Sequence, residues 1–228
     1  MTISPTPPVK RRIILDLCGG TGAWSKPYKD AGYDVRVITL PDYDILKTTF
    51  DKEHIYFWGG LEHPYQEVKK ANVYGILAAP PCTMFSLART TPKIPRDLHL
   101  GMQTVEACLR VIWECQYYGE KLSFWAMENP LGILRRFMGR PKYNFHPWNF
   151  GEPYTKNTDI WGYFNEPSKK YTELSQVMTR QQIEDCKINN RKLKLPSWAR
   201  DVVSNPNKAD LRAITPSGFA NAFYKANK

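Results

Sequence analysis

The run Ile13-Ile14-Leu15-Asp16-Leu17-Cys18 passes directly into Gly19-Gly20-Thr21-Gly22. A nearly continuous apolar run of this length reads as a buried strand. The glycines that follow let the backbone turn sharply, approach a ligand closely and open onto a helix with free N–H groups. That helix is predicted through Tyr28 to Ala31, with Gly32 as its stop. The same alternation continues. Val35-Arg36-Val37-Ile38 reads as a second strand closed by Pro41, and Val73–Ala78 as a third. Leu98, Met102, Val105, Leu109 and Ile112 recur at helical spacing and predict an amphipathic helix over 98–118. Leu122–Met127 reads as another buried strand, with later strands at 143–150 and 159–164 and a final helix over 216–225. His54–Trp58 reads either as a strand or as a packed loop. The fold class expected is α/β, Rossmann-like, with a mostly parallel central sheet flanked by helices.

At 228 residues the chain suits one well-buried domain. Its net charge of +10 favours an anionic partner such as nucleic acid. Five cysteines form no CxxC pair and no even framework. That fits reduced thiols in a cytosol-like compartment, with no metal site. No apolar run is long enough to span a membrane, and Met1–Arg12 is Pro-rich and then basic rather than signal-like. Residues 165–212 turn polar and lose periodicity.

Three segments carry candidate chemistry. The turn after the first strand misses the dinucleotide fingerprint: Gly20 and Gly22 fit, but Ser25 stands where a third glycine belongs. The Asp16-x-x-Gly19-Gly20-x-Gly22 spacing suits S-adenosylmethionine, which has no pyrophosphate to cradle; a purely structural turn is the alternative. Pro80-Pro81-Cys82 follows the third strand, and consecutive prolines fix where Cys82 points. Arg89, Lys93 and Arg96 downstream could approach phosphates and favour a thiolate; the alternative is a packed small hydrophobe. Glu128 follows the strand 122–127, where partial desolvation should raise its pKa; the alternative is a polar turn at Glu128-Asn129-Pro130.

In this order the segments resemble the DNA cytosine-5 methyltransferases. Asp16-Leu17-Cys18-Gly19-Gly20-Thr21-Gly22-Ala23-Trp24 looks like their cofactor motif, and Asp44-Ile45 like the element that contacts adenine. Pro80-Pro81-Cys82-x-x-Phe85-Ser86 looks like the catalytic Pro-Cys motif, and Glu128-Asn129 like the Glu-Asn motif. Asn149-Phe150-Gly151-x-Pro153 looks like the strand leading to Gln-x-Arg-x-Arg, and Ala220-Asn221-Ala222 like the C-terminal motif beside the cofactor.

The resemblance implies a seven-stranded sheet, S-adenosylmethionine as cofactor and duplex DNA with a flipped cytosine as partner. Cys82 would be the nucleophile and Glu128 the group that holds the ring nitrogen, with Lys156 supplying charge. Asp16, Leu17, Gly19, Gly20, Gly22, Trp24, Asp44, Ile45, Pro80 and Asn221 would hold the cofactor. Ser86, Arg89, Lys93 and Arg96 would meet DNA. It also implies a catalytic core at 1–164, a reduced target-recognition segment at 165–211 and a C-terminal helix at 212–228 returning to the core. The compactness resembles phage-borne members: a monomer in the cytoplasm of a bacterial or infected cell, with a protein partner supplying specificity as an option.

The chain departs from the pattern at Thr83, Pro130 and Tyr154-Thr155-Lys156-Asn157-Thr158, where Thr158 stands for the cytosine-holding arginine. The acidic residue expected for the ribose is missing at Thr39-Leu40, with Asp42 a substitute. These departures keep two alternatives open: another acceptor (tRNA, a nucleotide) or another one-carbon group, and a catalytically weak DNA-binding or partner subunit.

Overall fold

Apolar runs at three points of the chain align side by side as the centre of one sheet. The computed structural model describes residues 12–87, 95–119, 122–188 and 214–228, with 185–188 described by backbone alone. Strands β1 (Ile13–Leu17), β2 (Asp34–Ile38), β6 (Val73–Ala78), β7 (Phe124–Pro130), β8 (Tyr143–Phe145) and β9 (Thr158–Tyr163) form a six-stranded sheet. Their order is β2–β1–β6–β7–β9–β8. β1 runs parallel to β2 and β6, and β6 parallel to β7, while β9 lies antiparallel between β7 and β8. β3 (Thr49–Phe50), β4 (His54–Trp58) and β5 (Tyr65–Lys69) make a separate antiparallel sheet, so His54–Trp58 is a strand rather than a loop.

The mostly parallel α/β expectation holds. Four details differ. Six strands, not seven, make the main sheet among the described residues. Glu128, Asn129 and Pro130 lie inside β7 rather than after it, because β9 pairs with residues 125–130 and carries the ladder onward. The strand expected over 143–150 stops at Phe145 and gives way to a 3-10 turn at Pro147–Phe150, where Pro147 has no N–H for a ladder. After the short helix α3 (Arg135–Met138), the polar segment 165–188 includes one α-helix, α4 (Arg180–Ile188); residues 189–213 lie outside the described residues.

Each sheet face takes its cover from a sequence pattern. Helix α2 (Leu98–Tyr118) turns Val105, Cys108, Val111, Ile112 and Cys115 inward. They pack with Leu15, Leu17, Ile76, Ala78 and Met127 in one buried cluster. Asp97 caps its start by accepting from the Leu100 N–H at 2.9 Å. The opposite face is aromatic. Helix α1 (Lys26–Asp30) brings Tyr28, and helix α5 (Ser217–Ala226) brings Phe219 and Phe223. Phe219 stacks on Phe145 at 3.9 Å between ring centroids, and Phe223 meets Trp24 edge-on at 5.4 Å. Gly75 makes room on this face, since a Cβ there would sit 2.2 Å from the Phe124 ring across the strand pair. Asn227 closes the far end of α5 by exchanging two hydrogen bonds with the Asn165 backbone.

Candidate functional site

The parallel strands deliver their ends to one edge. Register pairs Leu17 with Ala78 and Ala78 with Met127, so the glycine turn, the Pro80–Cys82 segment and Glu128 emerge side by side. The Ala79 N–H donates to the Leu17 carbonyl at 2.9 Å and links the first two directly. β9 runs the other way and begins opposite Pro130, so the residues just before Thr158 arrive at that same edge. Strand ends of an α/β sheet are where such folds bind ligands.

Cys82 opens a short 3-10 turn, Cys82–Met84, whose carbonyl accepts from the Phe85 and Ser86 N–H groups at 2.9 Å. Four ties hold this loop. Asn129, wholly buried, donates from Nδ2 to the Pro80 carbonyl at 2.9 Å. The Ile133 N–H donates to the Phe85 carbonyl at 2.9 Å, and Ser86 bridges Gly132. Gly132 is needed there, because a Cβ would fall 2.3 Å from the Phe85 carbonyl oxygen. Arg96 forks onto the Met84 and Ser86 carbonyls at 2.8 and 2.7 Å. That fork ties the Arg96 guanidinium to the loop's own backbone. Arg89 and Lys93 lie outside the described residues.

Burial pushes the Cys82 thiol up, the Glu128 carboxylate adds to that, and Lys156 opposes it. Among the described residues, Lys156, on another strand's approach, is a cation that acts on Cys82. Lys156 Nζ stands 3.5 Å from Glu128 Oε1. Both side chains are mostly buried, at 22% and 13% exposure, and Glu128 Oε1 has no hydrogen-bond partner. Thr158 is buried and donates to the Lys156 carbonyl at 3.1 Å, so it shapes the approach of Lys156 rather than presenting a donor of its own. Cys82, Glu128 and Lys156 are thus brought together from three separate segments.

The glycine turn encloses a buried carboxylate. Asp16 is fully buried; Ser25, the residue that broke the dinucleotide pattern, donates from Oγ to Asp16 Oδ2 at 2.5 Å. Gly19 is required by this carboxylate, since a Cβ would lie 2.3 Å from it. Cys18, Gly20 and Gly22 have φ of 56°, 55° and 71°, a backbone that turns the chain off β1 in three left-handed steps. Asp16 Oδ1 and Trp24 Nε1 are buried without partners, and such orphaned groups suit a ligand that supplies an ammonium or an acceptor. The residues fit the polar methionine end of S-adenosylmethionine in that sense.

The remaining expected cofactor residues also carry structural roles. Leu17 and Ile45 are core side chains, with Ile45 turned toward α2 beside Phe50 and Ala107. Asp44 caps a turn by accepting from the Leu46 N–H at 3.0 Å. Trp24 is packed among aromatic rings, and Asn221 is exposed and donates to the Ser217 carbonyl of its own helix at 2.9 Å. Pro80 contributes the carbonyl that Asn129 holds.

Sequence reading missed an ion pair whose acidic partner is buried while its arginine is half-exposed. Arg135 meets Asp159 with two 2.6 Å hydrogen bonds, and Asn144 donates to the same carboxylate at 2.7 Å. Asp159 is wholly buried on the strand that delivers Lys156, so the pair fixes β9 in place.

Burial raises the Asp16 carboxyl to about 6, against the lowering effect of Ser25. A folded-state pKa above the unfolded one means the native protein binds the extra proton. Stability is then greatest below the unfolded value of 3.8 and falls as pH rises through about 6. A shift of this size is worth about 3 kcal/mol. Urea unfolding of the wild type and Asp16→Asn at acid and neutral pH should show the variant gaining on the wild type as pH rises. Parallel pH profiles would refute the buried ionisation.

No family model matches the chain, and no curated protein matches it.

Proposed function

We propose that this protein is an S-adenosylmethionine-dependent methyltransferase acting on carbon 5 of cytosine in DNA. The observation that carries the reading is the meeting of Cys82, Glu128 and Lys156 at the sheet edge beside the glycine turn. The six-stranded, mostly parallel sheet is compatible with it.

S-adenosylmethionine would supply an electrophilic methyl group at the turn holding Asp16, Gly19 and Trp24. The chain's own residues do the rest. Cys82 adds as thiolate to carbon 6 of the ring, and Glu128 hydrogen-bonds the ring nitrogen three bonds' reach away as negative charge develops there. The two roles reinforce each other. The Glu128 charge disfavours the Cys82 thiolate, so a proton placed between Glu128 and the ring nitrogen relieves that repulsion and frees the nucleophile. Lys156 holds Glu128 in place and is the charge that favours the thiolate. Loss of the carbon-5 proton and expulsion of Cys82 complete the cycle. Asn129, through Pro80, keeps the sulfur at a fixed height above the edge.

Nucleoside mass analysis of DNA incubated with the protein and methyl donor tests this. 5-Methylcytosine is the expected product. Its absence from every duplex and single-stranded DNA tried, with product on tRNA or a free nucleotide instead, moves the acceptor; absence on all of them removes the activity.

A further inference from the structure

We propose that Cys18 and Cys108 form a redox-responsive pair, in which a peroxide joins the two sulfurs as a disulfide and draws the glycine turn onto α2. Both cysteines are free thiols, and their Sγ atoms lie 4.0 Å apart although 90 positions separate them in the chain. A disulfide needs about 2.05 Å between sulfurs, so closure requires an approach of about 2 Å. No other described cysteine has a sulfur neighbour recorded at such range: Cys82 faces Glu128 and Lys156, and Cys115 faces Lys70 and Glu114.

The order of events follows from access. Cys18 is partly exposed, whereas Cys108 is fully buried in the middle of α2. Peroxide therefore meets Cys18 first. The Cys18 sulfur attacks one peroxide oxygen, the O–O bond breaks, water leaves and a sulfenic acid remains. The Cys108 sulfur then attacks the Cys18 sulfur, and the S–O bond breaks. The departing hydroxyl takes the Cys108 proton and leaves as a second water. The two sulfurs are oxidised and the peroxide is reduced, with no further reagent.

The turn is the part that yields. α2 is anchored by its N-cap and by inward side chains along its whole length. Cys18 instead sits in left-handed backbone between a strand end and two glycines of positive φ. Pulling Cys18 toward α2 displaces Gly19, which packs so near the Asp16 carboxylate that a Cβ there would lie 2.3 Å from it. The bond stands on the sulfur geometry; its effect on ligand binding rests on the cofactor reading above.

The reduced full chain is treated with equimolar hydrogen peroxide, digested without reductant and mapped by mass. The expected result is a linked peptide pair carrying Cys18 and Cys108. Calorimetric binding of S-adenosylmethionine is expected to weaken about tenfold on oxidation and to recover with dithiothreitol. Cys108→Ala should bind as the reduced wild type does, before and after peroxide, and Cys18→Ser should likewise yield no linked pair. Both thiols remaining free, or Cys18 reaching sulfinic acid with Cys108 untouched, overturns the pair. A linked pair with unchanged affinity overturns the coupling to the turn. Reduced protein that binds no S-adenosylmethionine overturns the cofactor reading, while the mapping still decides the bond.

Discussion

Replacing Cys82 with alanine is expected to lower methyl transfer by about 10⁴-fold or more while leaving the fold intact. The sulfur is the only group in the proposed cycle that forms a bond to the ring, and no neighbour replaces it. Glu128 is a weaker nucleophile directed at the ring edge, and Lys156 is engaged with Glu128. The side chain contributes little to packing, since Cys82 is absent from both buried clusters, so unfolding should shift by less than about 1 kcal/mol. DNA containing 5-fluorocytosine reads the same event without turnover. Fluorine cannot leave as the carbon-5 proton does, so wild-type protein should remain attached to the DNA in the presence of methyl donor. Cys82→Ala should form no such adduct. A variant that still methylates, or a wild type that never becomes attached, removes Cys82 from the chemistry.

Phe219→Ala is expected to destabilise the protein by about 4 kcal/mol. Phe219 is fully buried, stacks on Phe145 at 3.9 Å, and touches Trp24, Phe150 and Phe223 at 5.4–5.9 Å. Truncation removes a whole ring from between α5 and the sheet, and four aromatic neighbours cannot collapse into the gap without leaving their own contacts. Phe219→Leu keeps most of the volume and should lose clearly less. Urea unfolding measures both. A loss below about 1 kcal/mol for the alanine variant would mean that α5 is not part of the folded core.

Which features were legible follows from how local their causes are. Ile13–Leu17, Val73–Ala78 and the helix Leu98–Tyr118 announce themselves by period and, for the strands, by flanking glycine or proline, so strand, helix and sheet class could be read directly. Glu128 was placed after its strand because an apolar run ends at Met127. Its true position inside β7 depends on pairing with β9, about thirty residues away, which no local pattern encodes. The Arg135–Asp159 pair was missed for the same reason. An exposed-looking arginine and an acidic residue within a β-strand have no sequence signature of their meeting. Ser25 breaks the glycine pattern, yet its hydroxyl is a partner of the buried Asp16 carboxylate. Lys156 was legible only as a charge near an absent arginine. The antiparallel entry of β9 is what turns it toward Glu128.

The aromatic seam between α1 and α5 also sets how the molecule assembles. Tyr28 donates to the Asn227 carbonyl across 199 positions of chain, and Trp24 waits on Phe219 and Phe223 for its neighbours. Contacts of such separation form only after a long loop has been closed, and that entropy is met late and slowly. The platform beneath the glycine turn is therefore expected to be finished in the closing step of folding. Ligand affinity should lag behind secondary structure in a refolding time course, because the strands form early and the face that seats Trp24 does not.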